Sequence, residues 1–323
     1  MQLDSRTREN TQSRRRVLRL AAVGGLALAS SCQHPSDSTG ALEKVWGQRG
    51  ILDGEFQKPR AIAIDQDDLL YIVDMTGRIQ VFDVDGVHQR TWRTPSIKFG
   101  KPCGLSFDRE GNLMVADTHY YRILFYNREG KLLGNRTIGG KHGDAIGEFS
   151  FVTDAAQDSQ GNYYVAQYHE HDRIQKFSAN GKFKLRWGKL GEGPAEFNRP
   201  QNLAMDESDR LWVADSCNHR VQVFDTRTTT PELINSWGTA GTGPGELKYP
   251  YDITLDSGGH VYLCEFGNHR IQKFTPDGKW LAAWGQPGRR EGELHNPWGF
   301  ARDSSGRLHV LDSMNHRIQC VTL

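Results

Sequence analysis

Three oxygen-bearing side chains, Asp154, Asn202 and Asp252, stand 48 and 50 residues apart along the chain. Brought together, such oxygens suit a hard cation, Ca2+ or another divalent ion. The same side chains could equally satisfy the amides at the start of a strand. Just before these positions and their counterparts stand Arg60, Cys103, Thr153, Gln201, Tyr251 and Trp298. They range from guanidinium to indole, a variety that suits recognition of a ligand. Two further segments, His119-Tyr120-Tyr121 and His169-Glu170-His171-Asp172, mix rings with charge, as interfaces do. No Ser-His-Asp or Cys-His arrangement can be inferred.

An internal repeat positions these residues. Asn-His-Arg occurs at Asn218-His219-Arg220, Asn268-His269-Arg270 and Asn315-His316-Arg317, each time before an apolar strand. Looser copies run to Arg78, Arg122 and Arg173, which makes six. Each copy carries an earlier strand ending in Asp, at Asp65, Asp108, Asp158, Asp206, Asp256 and Asp303, with separations of 43 to 50 residues. That period fits four short strands per unit, the length of a propeller blade. The fourth copy predicts strands over 202–205, 211–214, 220–224 and 233–237, with turn formers between them. No helical period is sustained.

The last copy ends with its third strand, because only Thr322 and Leu323 follow it. Leu42–Trp46 shares the Trp-Gly ending of Trp187-Gly188, Trp237-Gly238 and Trp284-Gly285 but has no partner strands of its own. It is expected to complete the sixth blade and close the ring, which removes an open edge. The sequence thus predicts an all-β, six-bladed propeller of four-stranded antiparallel blades over residues 41–323.

Residues 1–32 read as an export signal, and 33–40 as a linker. Ser13-Arg14-Arg15-Arg16-Val17 and the apolar Leu20–Ala29 resemble a twin-arginine signal, too short to be a permanent membrane span. Cys32, after Ala29-Ser30-Ser31, sits where a bacterial lipoprotein would be lipidated. The expected location is the periplasm or cell envelope, with membrane contact only through that anchor. The whole chain carries 40 basic and 39 acidic residues. Without residues 1–31, 34 basic side chains face 37 acidic ones. No basic stripe supports nucleic-acid binding. The other four cysteines show no metal or disulfide spacing, although a bond between Cys264 and Cys320 stays open.

Segments such as RPQNLAMDESDRLWVADSCNHRVQVF and YPYDITLDSGGHVYLCEFGNHRIQKF resemble NHL repeats, and the resemblance covers essentially all of 41–323. It implies a six-bladed β-propeller and no single activity. Peptidyl-hydroxyglycine lyases of this fold hold a catalytic zinc through histidines at the channel mouth. The matching positions here carry none, so a three-His zinc site is not expected. Sugar lactonases of related architecture use a central cation, to which Asp154, Asn202 and Asp252 offer a partial match.

Most repeated polar residues have structural work to do. Asp74, Asp117, Asp215, Glu265 and Asp312 should pair with the arginine opening the next strand. Asn218, Asn268 and Asn315 are expected in the left-handed turn position. The Gly-rich loop 238–247 has no Gly-Lys-Ser/Thr signature and should be a connector between blades. Strand alternation gathers the b–c turns, the d–a connectors and the starts of the innermost strands on one face. That face is expected to bind a protein, peptide or glycan without enzymatic activity. The alternative is a cation-dependent lyase or lactonase at the channel mouth.

Overall fold

The computed structural model describes residues 39–323. The expected export signal, a lipidated Cys32 and the linker up to residue 38 lie outside the described residues, while Thr39, in the expected linker, donates its N–H to the Ala283 carbonyl at 2.8 Å. Six four-stranded sheets follow one another, each numbered from its inner strand a to its outer strand d. Blade one runs Pro59–Ile64, Leu70–Asp74, Arg78–Phe82 and His88–Arg93. Blade four runs Pro200–Met205, Arg210–Asp215, Arg220–Asp225 and Glu232–Trp237, within two residues of the expected bounds. All pairings inside the blades are antiparallel. Among the described residues no helix is long and apolar enough to cross a membrane.

Ala41–Trp46 is the outer strand of blade six, from Ala41 opposite Thr322 to Trp46 opposite Ile318. Trp46 then meets Phe82 of blade one at 4.8 Å between ring centroids. The same step recurs where Trp187 meets Phe224 at 5.8 Å and Trp237 meets Phe274 at 5.0 Å. The outer-strand Trp of one blade thus packs on the third-strand Phe of the next. Gly278, at φ +86°, sits in the turn beneath Trp237, and a Cβ there would stand 2.5 Å from the indole. Only glycine allows both the turn and that contact.

Polar side chains fasten each blade to its connector. Arg220 Nε donates to Asp215 at 2.8 Å, while its terminal nitrogens donate to the carbonyls of Glu192, Gly193 and Glu196. The expected acid–arginine pairs form in blades one, two, four, five and six. In blade three Gln167 replaces the acid, and Arg173 turns to Asp144 of the preceding connector. The Gly-rich loop is indeed a connector. Its Thr242 and Gly243 amides donate to Glu246 of the same loop, which leaves no cradle for a phosphate.

The turn expectation needs one correction. His219, His269 and His316, rather than the asparagines, are left-handed, with φ of 55°, 55° and 60°. Asn218 is occupied otherwise: its amide bridges Asp215 and the Gly191 carbonyl. His219 Nδ1 accepts the Tyr249 N–H at 3.1 Å, His269 the Asn296 N–H at 2.8 Å, and His316 the Lys58 N–H at 3.0 Å. Each histidine therefore ties its turn to the next blade. Burial holds all three below the usual imidazole range, in keeping with a neutral acceptor. The four described cysteines are free thiols.

Candidate functional site

The innermost strands of blades one, three, four and five each begin with a register shift, at Arg60, Thr153, Gln201 and Tyr251. A bulge of this kind re-aims one side chain out of the alternating pattern. Arg60, Gln201, Tyr251 and Trp298 accordingly line the narrow channel mouth. The space there that water can occupy is about 20 Å³, roughly what a single water needs. A ligand of any size must therefore stay on the face instead of entering the channel.

Around this mouth, rings and guanidiniums interleave. Arg60 lies over Trp298 at 4.4 Å, and Trp298 meets Tyr251 edge-on at 5.2 Å. Tyr251 also stacks on Phe266 at 4.5 Å. Arg199 sits 5.1 Å from the Tyr251 ring and 4.8 Å from Tyr168. Tyr168 meets Phe151 at 5.7 Å, and Phe151 stacks parallel to Tyr121 at 6.0 Å. His119 and His169 close on Phe151 at 4.7 and 5.0 Å. The result is one belt from the rim of blades two and three to the channel mouth.

The two distinctive turns meet only in part. Tyr121, His119 and His169 converge on Phe151, and Glu170 lies 3.0 Å from His169 and 3.4 Å from His142. Tyr120 turns away and shares a 2.6 Å hydrogen bond with Ser96. His171 faces Asp144 at 3.7 Å, outside the belt. Arg199, Tyr168, Phe151 and Phe266 belong to the site although sequence reasoning passed over them. The available signal was position. Arg199 precedes Pro200 just as Lys58, Tyr249 and Asn296 precede their prolines, and all four have positive φ.

Asp154, Asn202 and Asp252 do stand on adjacent inner strands. Asp154 Oδ2 accepts from Asn202 Nδ2 at 2.9 Å and from the Leu203 N–H at 3.0 Å. Asn202 Oδ1 accepts the Ile253 N–H at 3.1 Å, and Asp252 Oδ2 accepts the Phe300 N–H at 2.8 Å. These side chains thus form a hydrogen-bonded chain across blades three to six. Asn202 presents its NH2 to Asp154, the wrong end for a cation held between them. Asp154 Oδ1 is buried without a partner. Among the described residues no three His, Cys, Asp or Glu side chains are grouped to hold a metal ion.

Burial dominates both carboxyls. It raises Asp154 well above the usual range, with Asp252 adding to the effect, and it raises Asp252 to about 7. A carboxyl whose folded pKa lies above its unfolded one holds its proton longer when folded. Stability therefore falls as pH rises through the window from about 4 to about 7. Asp252→Asn keeps the acceptor for Phe300 and removes the charge. It should stabilise the protein at pH 8 by up to about 4 kcal/mol, three pKa units' worth, and by nothing near pH 3.5. Denaturant unfolding at both values checks this, and an equal gain at both would assign the effect to something other than charge.

The sequence pattern described as NHL repeat matches residues 197–224, 247–274 and 294–321. NHL repeat-containing protein 3 of Mus musculus is 30% identical over 185 residues, covering 52% of this chain and 52% of that protein. Peptidylglycine alpha-amidating monooxygenase of Rattus norvegicus is 35% identical over 142 residues, 40% of this chain and 14% of that protein. The chain thus spans about half or less of these curated relatives. A structure of streptogramin B lyase superposes with a TM-score of 0.61 at 15% identity, covering 88% of this chain and 98% of the other. At that identity the likeness speaks for the fold. The matched segments coincide with the first three strands and preceding connector ends of blades four, five and six, so these three blades of the six-bladed β-propeller carry NHL repeats.

Proposed function

We propose that this propeller is a binding module that takes a protein, peptide or glycan on the face bearing the b–c turns and d–a connectors. The observation that carries this reading is the unbroken belt of rings and arginines from Tyr121 to Arg60 over a channel too narrow for the ligand itself. Rings and arginine are the groups that dominate binding energy at interfaces. Two paired substitutions test it. Tyr121→Ala with His169→Ala removes the rim end, and Arg199→Ala with Tyr251→Ala removes the mouth end. Each pair should weaken capture of the partner recovered by the native protein by about tenfold or more while the melting transition persists. Capture undiminished by both pairs would place binding elsewhere.

A second reading is a cation-dependent lyase or lactonase at the mouth. It is favoured by Asp154 Oδ1, a buried oxygen with no partner, and by relatives and fold neighbours named for amidating and lyase activities. Asp154, Asn202 and Asp252 would hold such a cation once Asn202 turned its carbonyl toward Asp154. A bound cation would polarise a substrate oxygen. Metal analysis of the purified protein separates the two readings, since the enzyme requires a stoichiometric cation and the binding module does not.

We also propose export through residues 1–32, on the strength of Arg14-Arg15 before the apolar stretch and of Cys32 after it. The mass of the mature chain tests it, because an intact Met1 rules out cleavage and an unmodified Cys32 rules out lipidation.

A further inference from the structure

We propose that the mouth recognises its ligand through a carboxylate held between the guanidiniums of Arg60 and Arg199. This rests on the reading of the mouth as the binding site and adds the chemistry of what binds there. Among the described residues neither guanidinium has an acidic partner. Arg60 donates from one terminal nitrogen to Met75 Sδ at 3.5 Å, and its Nε is buried without an acceptor. The Arg199 side chain donates from Nε to Gln201 Oε1 at 2.9 Å. The repeat arginines behave otherwise, each paired with an acid and, in blades one, three, four, five and six, bonded to connector carbonyls as well.

The surroundings narrow the ligand further. Trp298 covers one face of Arg60, and Tyr168 and Tyr251 flank Arg199. With the faces engaged, the in-plane N–H edges remain, and these match a carboxylate in two parallel bonds. The two guanidiniums flank one pair of rings, Arg60 over Trp298 at 4.4 Å and Arg199 over Tyr251 at 5.1 Å, with Trp298 and Tyr251 themselves 5.2 Å apart. Asp154 and Asp252, on the inner strands, accept from amides of the next blade. Partly buried positive charge without a counter-ion is costly to hold, and an anionic ligand relieves that cost.

Asp172 ties down the backbone of one of the two arginines. Arg199 has φ +60°, and its N–H donates to Asp172 Oδ1 at 2.5 Å. At the equivalent junctions His219, His269 and His316 supply the acceptor. Blade three has put a carboxylate there instead, bonded to the backbone of the arginine and leaving its guanidinium free for a ligand.

Two pairs of probes test the proposal on the purified full chain: N-acetyltyrosine against N-acetyltyrosinamide, and methyl glucuronide against methyl glucoside. Binding is read by indole fluorescence and checked by calorimetry. The acid of at least one pair should bind about tenfold or more tighter than its neutral counterpart, the worth of a charge-assisted pair of hydrogen bonds. The preferred pair tells a peptide terminus from an acidic sugar. Arg60→Gln and Arg199→Gln should each abolish the preference, and Arg60→Lys, which keeps the charge and loses the fork, should retain part of it. Equal or absent binding of both acids, tighter binding of inorganic phosphate, or a preference surviving both Gln variants overturns the proposal. If the mouth alanines still weaken partner capture in that case, only the carboxylate is wrong. If they do not, the mouth reading falls with it.

Discussion

A chain beginning at Gly47 should lose at least about 3–5 kcal/mol of stability, the usual cost of truncating a large packed aromatic, and should aggregate on heating. Two losses combine. Removing Ala41–Trp46 strips the partner from Arg317–Thr322, whose N–H and C=O groups then form an open edge able to recruit another chain. It also takes Trp46 from between Phe56 and Phe82, where the centroids lie 5.9 and 4.8 Å away. That contact joins blade six to blade one, so the deletion loosens the ring at the junction of its first and last blades. Trp46→Ala in the full-length chain separates the terms. It should lower the melting temperature without aggregation, because the edge stays paired. A truncated chain that melts with the full one would show that the ring closes without its outer strand.

The order and number of blades were legible because each repeat states its turns and its strands in the same residues. The Asn-His-Arg turns gave the b–c junctions, and the Trp-Gly endings gave the outer strands. Even the isolated Leu42–Trp46 could be assigned, since a strand with that ending and no sisters has one place to go. Two things escaped. The left-handed residue proved to be His219 rather than Asn218, because the asparagine amide is consumed by Asp215 and the Gly191 carbonyl. Both residue types tolerate such turns, and only the three-dimensional partners decide between them.

The second omission lies at the site. Position after the strand-opening proline or its equivalent placed Arg60, Cys103, Thr153, Gln201, Tyr251 and Trp298 at the mouth; five of them line it, while Thr153 is buried and donates its hydroxyl to the Pro200 carbonyl. It passed over Arg199, which stands one residue before Pro200 in the left-handed position shared by Lys58, Tyr249 and Asn296. Nor could it show that Tyr120 and His171 leave the belt, which depends on Ser96 and Asp144 in separate connectors. Repetition is readable when every copy obeys one rule. A binding face consists of the departures from that rule, and each departure is settled by neighbours from other blades.

Replacing Arg270 by Ala should cost about 3–5 kcal/mol at neutral pH, the range for breaking a buried ion pair by deleting one partner. Its Nε donates to Glu265 at 2.6 Å, and its terminal nitrogens reach the carbonyls of Thr242, Gly243 and Glu246 at 2.8 Å each. Glu265 is fully buried, and burial already raises its pKa despite the arginine. Without Arg270 that carboxyl rises further, so the folded variant keeps a proton that the unfolded chain gives up above the usual carboxylate range. The deficit must therefore grow as pH rises from about 4.5 and shrink toward acid. Arg270→Lys should recover only part of the loss, since a point charge cannot serve the acid and three carbonyls at once. Arg122 supplies the contrast. Its Nε donates to Asp117 at 2.8 Å, its side chain is 24% exposed against 10% for Arg270, and no connector carbonyl accepts from it among the described residues. Arg122→Ala should cost clearly less than Arg270→Ala in the same denaturant titration. Equal losses would mean that the acid pair alone matters and that the carbonyl clamp contributes nothing.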